Sequence, residues 1–297
     1  MKSALFVALG IITFVFVALW LAEYARARRE RAAPDLRDTF VGLITNFFDT
    51  LGIGSFATTT SFFKLWRMVP DDEIPGTLNI GHTIPSVLQA FIYITIIRVD
   101  VTTLALMVTA SMVGSWLGAG VVSRWPRRKI QIGMGIALLG ACTLMLLSQL
   151  QVLPGGGDQL GLTGVRLAIA TLANVAFGAL MTLGIGLYAP CMIVTYLMGM
   201  SPKAVFPIMM GSCAFLMPVG SVRFLRVDRY SLKAALGLLV GGIPGVLIAT
   251  FLVKSLPLGT MRWLVIVVVF YTAIMLLRSA QARPQTRVSE ASGGSLA

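Results

Sequence analysis

The chain has 297 residues, of which 57% are apolar and only 12% charged, and its mean hydropathy is +0.86. A soluble domain carries about 25% charged residues, so the composition excludes a water-soluble globular protein. The formal net charge of +12 would suggest a nucleic-acid partner in a soluble protein. In a greasy one it marks cytoplasmic loops, where Lys and Arg collect, and no nucleic acid is expected. Apolar runs of about 20 residues recur along the chain, each long enough to cross a hydrocarbon core of ~30 Å. The ~10-residue alternating strands of a barrel do not appear. The chain reads as an all-α polytopic membrane protein.

The first apolar segment, Ala4 to Glu23, follows only Lys2. It exceeds the apolar core of about 7–15 residues that a secretory signal carries. Arg26, Arg28, Arg29, Arg31 and Arg37 follow it. Residues 1–37 are therefore expected to be an uncleaved anchor, N-terminus outside, with a basic cytoplasmic loop. Charges and breakers bracket further segments at 39–68, 77–97, 101–123, 130–150, 165–200, 204–222, 231–253 and 263–278. A Gly-rich linker at 151–164 (QVLPGGGDQLGLTG) separates a first repeat, 38–150, from a second, 165–280. The polar tail, 281–297, is expected to be disordered in the cytoplasm.

The two halves match in register. Thr50–Gly54 and Thr182–Gly186 both read TLGIG, at an offset of 132; Met68-Val-Pro70 pairs with Met200-Ser-Pro202 at the same offset. Arg98-Val-Asp100 pairs with Arg226-Val-Asp228 at 128, and Gly114/Gly118 with Gly241/Gly245 at 127. Four matches in one order indicate a duplication, as transporters commonly have. If each TLGIG segment enters the bilayer, breaks and returns, the Arg26–Arg37 loop, Lys64, Arg67, the Arg124–Lys129 cluster, Arg223–Lys233 and the last three arginines share the cytoplasmic side. That is 18 of the 24 basic residues, against 14 if each segment crosses once. The expected fold is two inverted repeats, each a re-entrant or broken helix plus three transmembrane helices, behind the extra anchor helix. A single tilted, kinked span through each TLGIG remains the alternative.

Glycines at 52, 54, 184 and 186 free the backbone to leave helical geometry and let a ligand approach it. Broken backbone at membrane depth is tolerated only against protein or a water-filled cavity. The half-helices that start near Ser55 and Leu187 present N–H groups without partners and the positive end of the helix dipole, which suits an anion. Gly52, Ile53, Gly54, Ser55, Gly184, Gly186 and Leu187 are the candidate substrate-binding residues of the two hinges. The Gly114/Gly118 and Gly241/Gly245 pairs read instead as close helix packing.

Asn79, His82, Ser86 and Gln89 recur at spacings of 3, 4 and 3, a polar stripe on one helical face, with Thr83 beside them. Such a stripe in lipid faces a cavity or a partner helix. Asn79, His82, Thr83 and, in the second half, Ser212 join the candidate substrate contacts. For His82 two readings stand: a hydrogen bond to a neighbour, or a proton-sensing or anion-contacting role. Asp49 ends the first half-helix in apolar surroundings. It is a candidate proton carrier coupled to anion movement, or a structural acceptor for hinge N–H groups; Met181 holds the matching position. Cys142, Cys191 and Cys213 read as small buried hydrophobes. No metal, cofactor, catalytic residue or enzyme activity is expected.

The hinges TLGIGSFA and TLGIGLYAP, each followed about a dozen residues later by a Pro, together with PGTLNIGHTIP at 75–85 and GLLVGGIPGVLIATFL at 237–252, resemble the sulfite exporter TauE/SafE permease family. The likeness runs over roughly residues 40 to 280. Thr58 stands where the second repeat has Pro190, and Ser55 where the family often has a further Gly. The resemblance implies a multi-pass permease of the plasma (inner) membrane for sulfite, sulfonate or another sulfur-containing anion. The expected activity is alternating access around the paired hinges, with a small anion and the bilayer as partners and a homo-oligomer left open. The alternative is an anion channel or uniporter without ion coupling.

Overall fold

The computed structural model describes residues 2–26, 33–70, 72–121, 127–150, 157–181, 186–254 and 258–281. The described chain is helical, with one isolated backbone bridge, Gln159 to Met200. Helix α1 spans Lys2–Arg26 and α2 spans Leu36–Thr50. The start of α2 lies three residues ahead of the segment boundary read from the sequence at 39, because Asp35 and Asp38 form a reciprocal capping box there. The backbone N–H of Asp38, and after it the Lys233 ammonium 2.9 Å away, hold the Asp35 carboxyl well below the usual carboxylate range.

Helix α2 stops at Thr50. The chain then turns through Gly52 (φ 95°) and Gly54 (φ 85°), both in the left-handed region that glycine adopts without penalty. The Gly52 N–H donates to the Asp49 carbonyl at 2.8 Å and the Ile53 N–H to the Phe48 carbonyl at 3.1 Å, closing the end of α2. Helix α3 follows at Ser55–Trp66. At 1.5 Å per residue, the 15 residues of α2 reach about 22 Å and the 12 of α3 about 18 Å, each short of ~30 Å.

Helix α4 (Ile74–Ile96) gives the direction of the turn. His82 meets Asn46 of α2, Gln89 meets Asp49 and Thr50, and Tyr93 reaches the Thr50 carbonyl, so α4 runs parallel to α2. Thr59 of α3 also bonds His82, which sets Thr59 at the depth of Asn46, while Ser55 sits at that of Asp49. Helix α3 thus doubles back along α2.

Helices α5 (Val101–Val121) and α6 (Arg127–Gln149) complete the first half. The second half begins with α7 (Gly164–Met181) and, beyond the undescribed residues 182–185, α8 (Tyr188–Leu197), whose 10 residues reach about 15 Å. Helices α9 (Pro202–Arg226), α10 (Leu232–Lys254) and α11 (Leu258–Gln281) follow. Among the described residues, α1, α5, α7, α9 and α10 are long and apolar enough to cross a membrane. Helix α4 is as long, but its buried face carries Thr77, Asn79, His82, Thr83, Ser86 and Gln89.

Packing interlocks the halves. Helix α2 lies on α10 so closely that a Cβ at Gly241 would strike the Thr39 carbonyl, and one at Gly245 the Leu43 carbonyl. Helix α7 lies on α5 in the same way, Gly114 against the Val175 carbonyl and Gly118 against Ala179. The duplicated glycine pairs are the contact surfaces of these two seams, and in both seams the paired helices run parallel. Between the halves, α4 and α9 run antiparallel: Asn79 approaches Gly220, Ser86 bonds the Met217 sulfur, and Tyr93 stacks on Phe206 with ring centroids 5.6 Å apart. Helices α6 and α11 are also antiparallel, with Gly135 by Leu277 and Cys142 by Ile266.

Candidate functional site

Both helix breaks open onto one small cavity. Gly54, Ser55 and Phe56 line it from the first break, and Met181, Gly186, Leu187 and Tyr188 from the second. Asp49 closes it at the end of α2, Ser86 comes from α4, and Cys213 and Met217 come from α9. Its free interior is about 10 Å³, the room one water needs. No Lys or Arg stands among these lining residues.

The Asp49 carboxylate is the centre of the polar contacts and is 2% exposed. It faces both the hydroxyl and the backbone N–H of Ser55, the first residue of α3. The Gln89 amide donates to Asp49 Oδ2 at 2.9 Å and also to Thr50 Oγ1 at 2.9 Å. From the other half, the Tyr188 hydroxyl sits 3.4 Å from Asp49 Oδ2 and donates to Gln89 Oε1 at 3.0 Å. A carboxylate here meets polar hydrogens of three elements, α3 and α4 of its own half and α8 of the opposite half, with the single Tyr188 proton shared between Asp49 and Gln89. Of the two sequence readings of Asp49, this geometry is that of an acceptor for the hinge; proton carriage is a separate property.

The other candidates separate into groups. Gly54, Ser55, Gly186, Leu187 and Asp49 line the cavity. Gly52 packs behind it against Met192 and Phe206. Ile53, at the tip of the turn, faces a different space, a larger apolar groove between α2, α3 and α11 bounded by Phe48, Phe62 and Tyr271. Gly184 lies outside the described residues. His82 is fully buried and spends both ring nitrogens on neighbours, Nδ1 on Asn46 Oδ1 at 3.1 Å and Nε2 on Thr59 Oγ1 at 2.9 Å. It staples α2, α3 and α4 and is not on the cavity wall. Asn79 and Thr83 bond carbonyls of their own helix, at Pro75 and Asn79. Ser212 accepts from Asn174 at 3.0 Å in the α7–α9 packing. Asn79, His82, Thr83 and Ser212 are not among the lining residues, and these hydrogen bonds tie them into the packing around the cavity.

Gln89 and Tyr188 complete the site. Gln89 carried a signal, as the last member of the polar stripe. Tyr188 carried a weaker one, a hydroxyl directly after the second hinge where the first has Phe56. Met181, Cys213 and Met217 bring three sulfur atoms to the wall, the Cys213 thiol 3.6 Å from the Met181 sulfur. They carried none, because Met and Cys in apolar segments look like core.

Among the described residues no group of three or more His, Cys, Asp or Glu is placed to hold a metal ion. None of the curated proteins compared with this chain matches it, and none of the solved structures does. A family model does match, that of the sulfite exporter TauE/SafE, over residues 1–146. The matched stretch takes in α1, which the motif resemblance leaves outside, as well as the first break and its polar partners on α4. With its apolar helices, this makes the protein a multi-pass membrane protein. Over residues 1–146, just under half of its length, the chain is similar to the sulfite exporter TauE/SafE family.

Proposed function

We propose that the protein is a membrane permease for small sulfur-containing anions, sulfite or a sulfonate, working by alternating access around its two helix breaks. The family match supports membrane transport of sulfite-type anions. The observation that carries the rest is the single cavity shared by both breaks. At the second break the first N–H groups of α8 have no side-chain cap, and the cavity lies directly against them, so an anion there meets the positive end of that half-helix.

The packing supports an inverted repeat. The halves exchange equivalent partners: α2 with α10 mirrors α7 with α5. The equivalent helices α4 and α9 are antiparallel, as are α6 and α11. A two-fold axis relating antiparallel equivalents lies across the helices, in the membrane plane, which is the symmetry alternating access uses. The free interior is too small for a sulfur oxyanion, so alternating access requires the two breaks to move apart for an anion to enter. An uncoupled channel is the second reading, because re-entrant half-helices also build pores.

The test is flux of radiolabelled sulfite or a sulfonate into proteoliposomes, for the wild type and for Gly54→Leu and Gly186→Leu. Both substitutions should cut flux at least tenfold, since each places a side chain against the shared cavity. Unchanged flux in both folded variants would remove the hinges as the site. Saturable flux that accelerates when unlabelled anion is loaded on the far side favours a carrier; flux proportional to the gradient without that acceleration favours the channel.

A further inference from the structure

We infer that Asp49 is a tethered anion that occupies the substrate's seat, so that it sets affinity and selectivity by competing with the transported anion. This deepens the reading above and rests on it. The argument is an inventory of donors. The Ser55 hydroxyl and N–H face Asp49. The Gln89 amide donates to Asp49. The Tyr188 hydroxyl is shared between Gln89 and Asp49. The remaining polar side chain on the wall, Ser86, donates to the Met217 sulfur. Every side-chain donor described on the cavity is thus committed to Asp49 or to a neighbour before any anion arrives.

No cation on the wall offsets a second negative charge, and the free space holds about one water. An incoming anion can then be accommodated only where Asp49 releases its donors. The Asp49 carboxylate has no counterpart in the second half, where Met181 holds the matching position at 3% exposure on the same wall. One half supplies the competitor and the other supplies a half-helix end that, among the described residues, has no side-chain cap. A small anion with a polarisable body suits this cavity, because Met181, Cys213 and Met217 form its soft side.

The test measures anion binding to the purified protein in detergent, by isothermal titration with sulfite and with methanesulfonate. Asp49→Asn keeps the shape, removes the competing charge and adds an N–H₂ donor. It should bind both anions about tenfold more tightly, on the order of 1.4 kcal/mol. Met181→Asp, which adds a second carboxylate to the wall, should weaken binding at least tenfold. Thermal unfolding of each variant establishes that it is folded, and Asp49→Ser serves in place of Asp49→Asn if that variant fails this check. An unchanged or weaker affinity in the folded Asp49 variant, beside a wild type that binds, overturns the inference and leaves the permease reading standing. Binding by neither wild type nor variant overturns both.

Discussion

At the residue scale, glycine and histidine carry different kinds of burden in this protein. Gly52 sits at φ 95° with the Met192 methyl and the Phe206 ring 3.2 and 3.4 Å from where a Cβ would lie, whereas Gly186 has open space around it. Gly52→Ala should therefore cost about 1–3 kcal/mol of stability through backbone strain, and Gly186→Ala should cost little, a contrast that paired thermal unfolding curves in detergent will show. His82 ties three helices with two buried hydrogen bonds. His82→Ala leaves Asn46 and Thr59 without those partners and opens a void, for an expected loss of about 2–4 kcal/mol. If the ring bound substrate instead, the larger change would be in anion affinity, with unfolding little altered. The single histidine stood out in the sequence, but its partners did not, because Asn46 lies 36 residues away and Thr59 lies 23 away.

At the element scale, the hinges were legible because their chemistry is local. At the first hinge, two glycines flanking one residue, Gly52 and Gly54, mark where α2 stops. The capping box at Asp35 was equally local and sets the start of α2 three residues earlier than charge patterning alone suggests. The glycine pairs at 114/118 and 241/245 were legible as packing surfaces, though not which helix each would meet; that depends on the exchange of α10 and α5 between the halves. A side chain of any size at Gly241 must displace the Thr39 carbonyl, and at Gly114 the Val175 carbonyl. Gly241→Val and Gly114→Val should each destabilise the protein by about 1–3 kcal/mol. The two losses should be similar, since the seams are equivalent. A loss at one site alone would show that the duplicated motifs do different jobs.

At the scale of the whole molecule, the contacts sort helix ends into two groups. Lys233 at the start of α10 pairs with Asp35 ahead of α2, and Gly76 in the first turn of α4 lies against the Arg229 carbonyl. At the opposite ends, the Asp100 N–H bonds the Leu160 carbonyl and the Gln159 N–H bonds the Gly199 carbonyl. By the basic-residue count, the group holding Arg223 to Lys233 is expected in the cytoplasm and the group holding the linker outside. Cysteines placed at Arg229 and Leu160 should accordingly react with a membrane-impermeant reagent from opposite sides of sealed vesicles; labelling from the same side would contradict the re-entrant topology. The cavity itself was the least legible feature. Its floor pairs Tyr188 with Gln89 across 99 residues, and no local pattern reports such a meeting.

The exchange of helices between halves also dictates an order of assembly. The pairing of Lys233 with Asp35 joins residues 198 apart, and the glycine seam that seats α2 cannot close until α10 has been synthesised. At roughly 5–20 residues per second, the first hairpin waits on the order of ten seconds or more in the bilayer with Asp38, Asn46 and Asp49 lacking their final surroundings. Protection of those polar groups during biogenesis, by the insertion machinery or by temporary partners within the first half, is thus a requirement of the architecture itself.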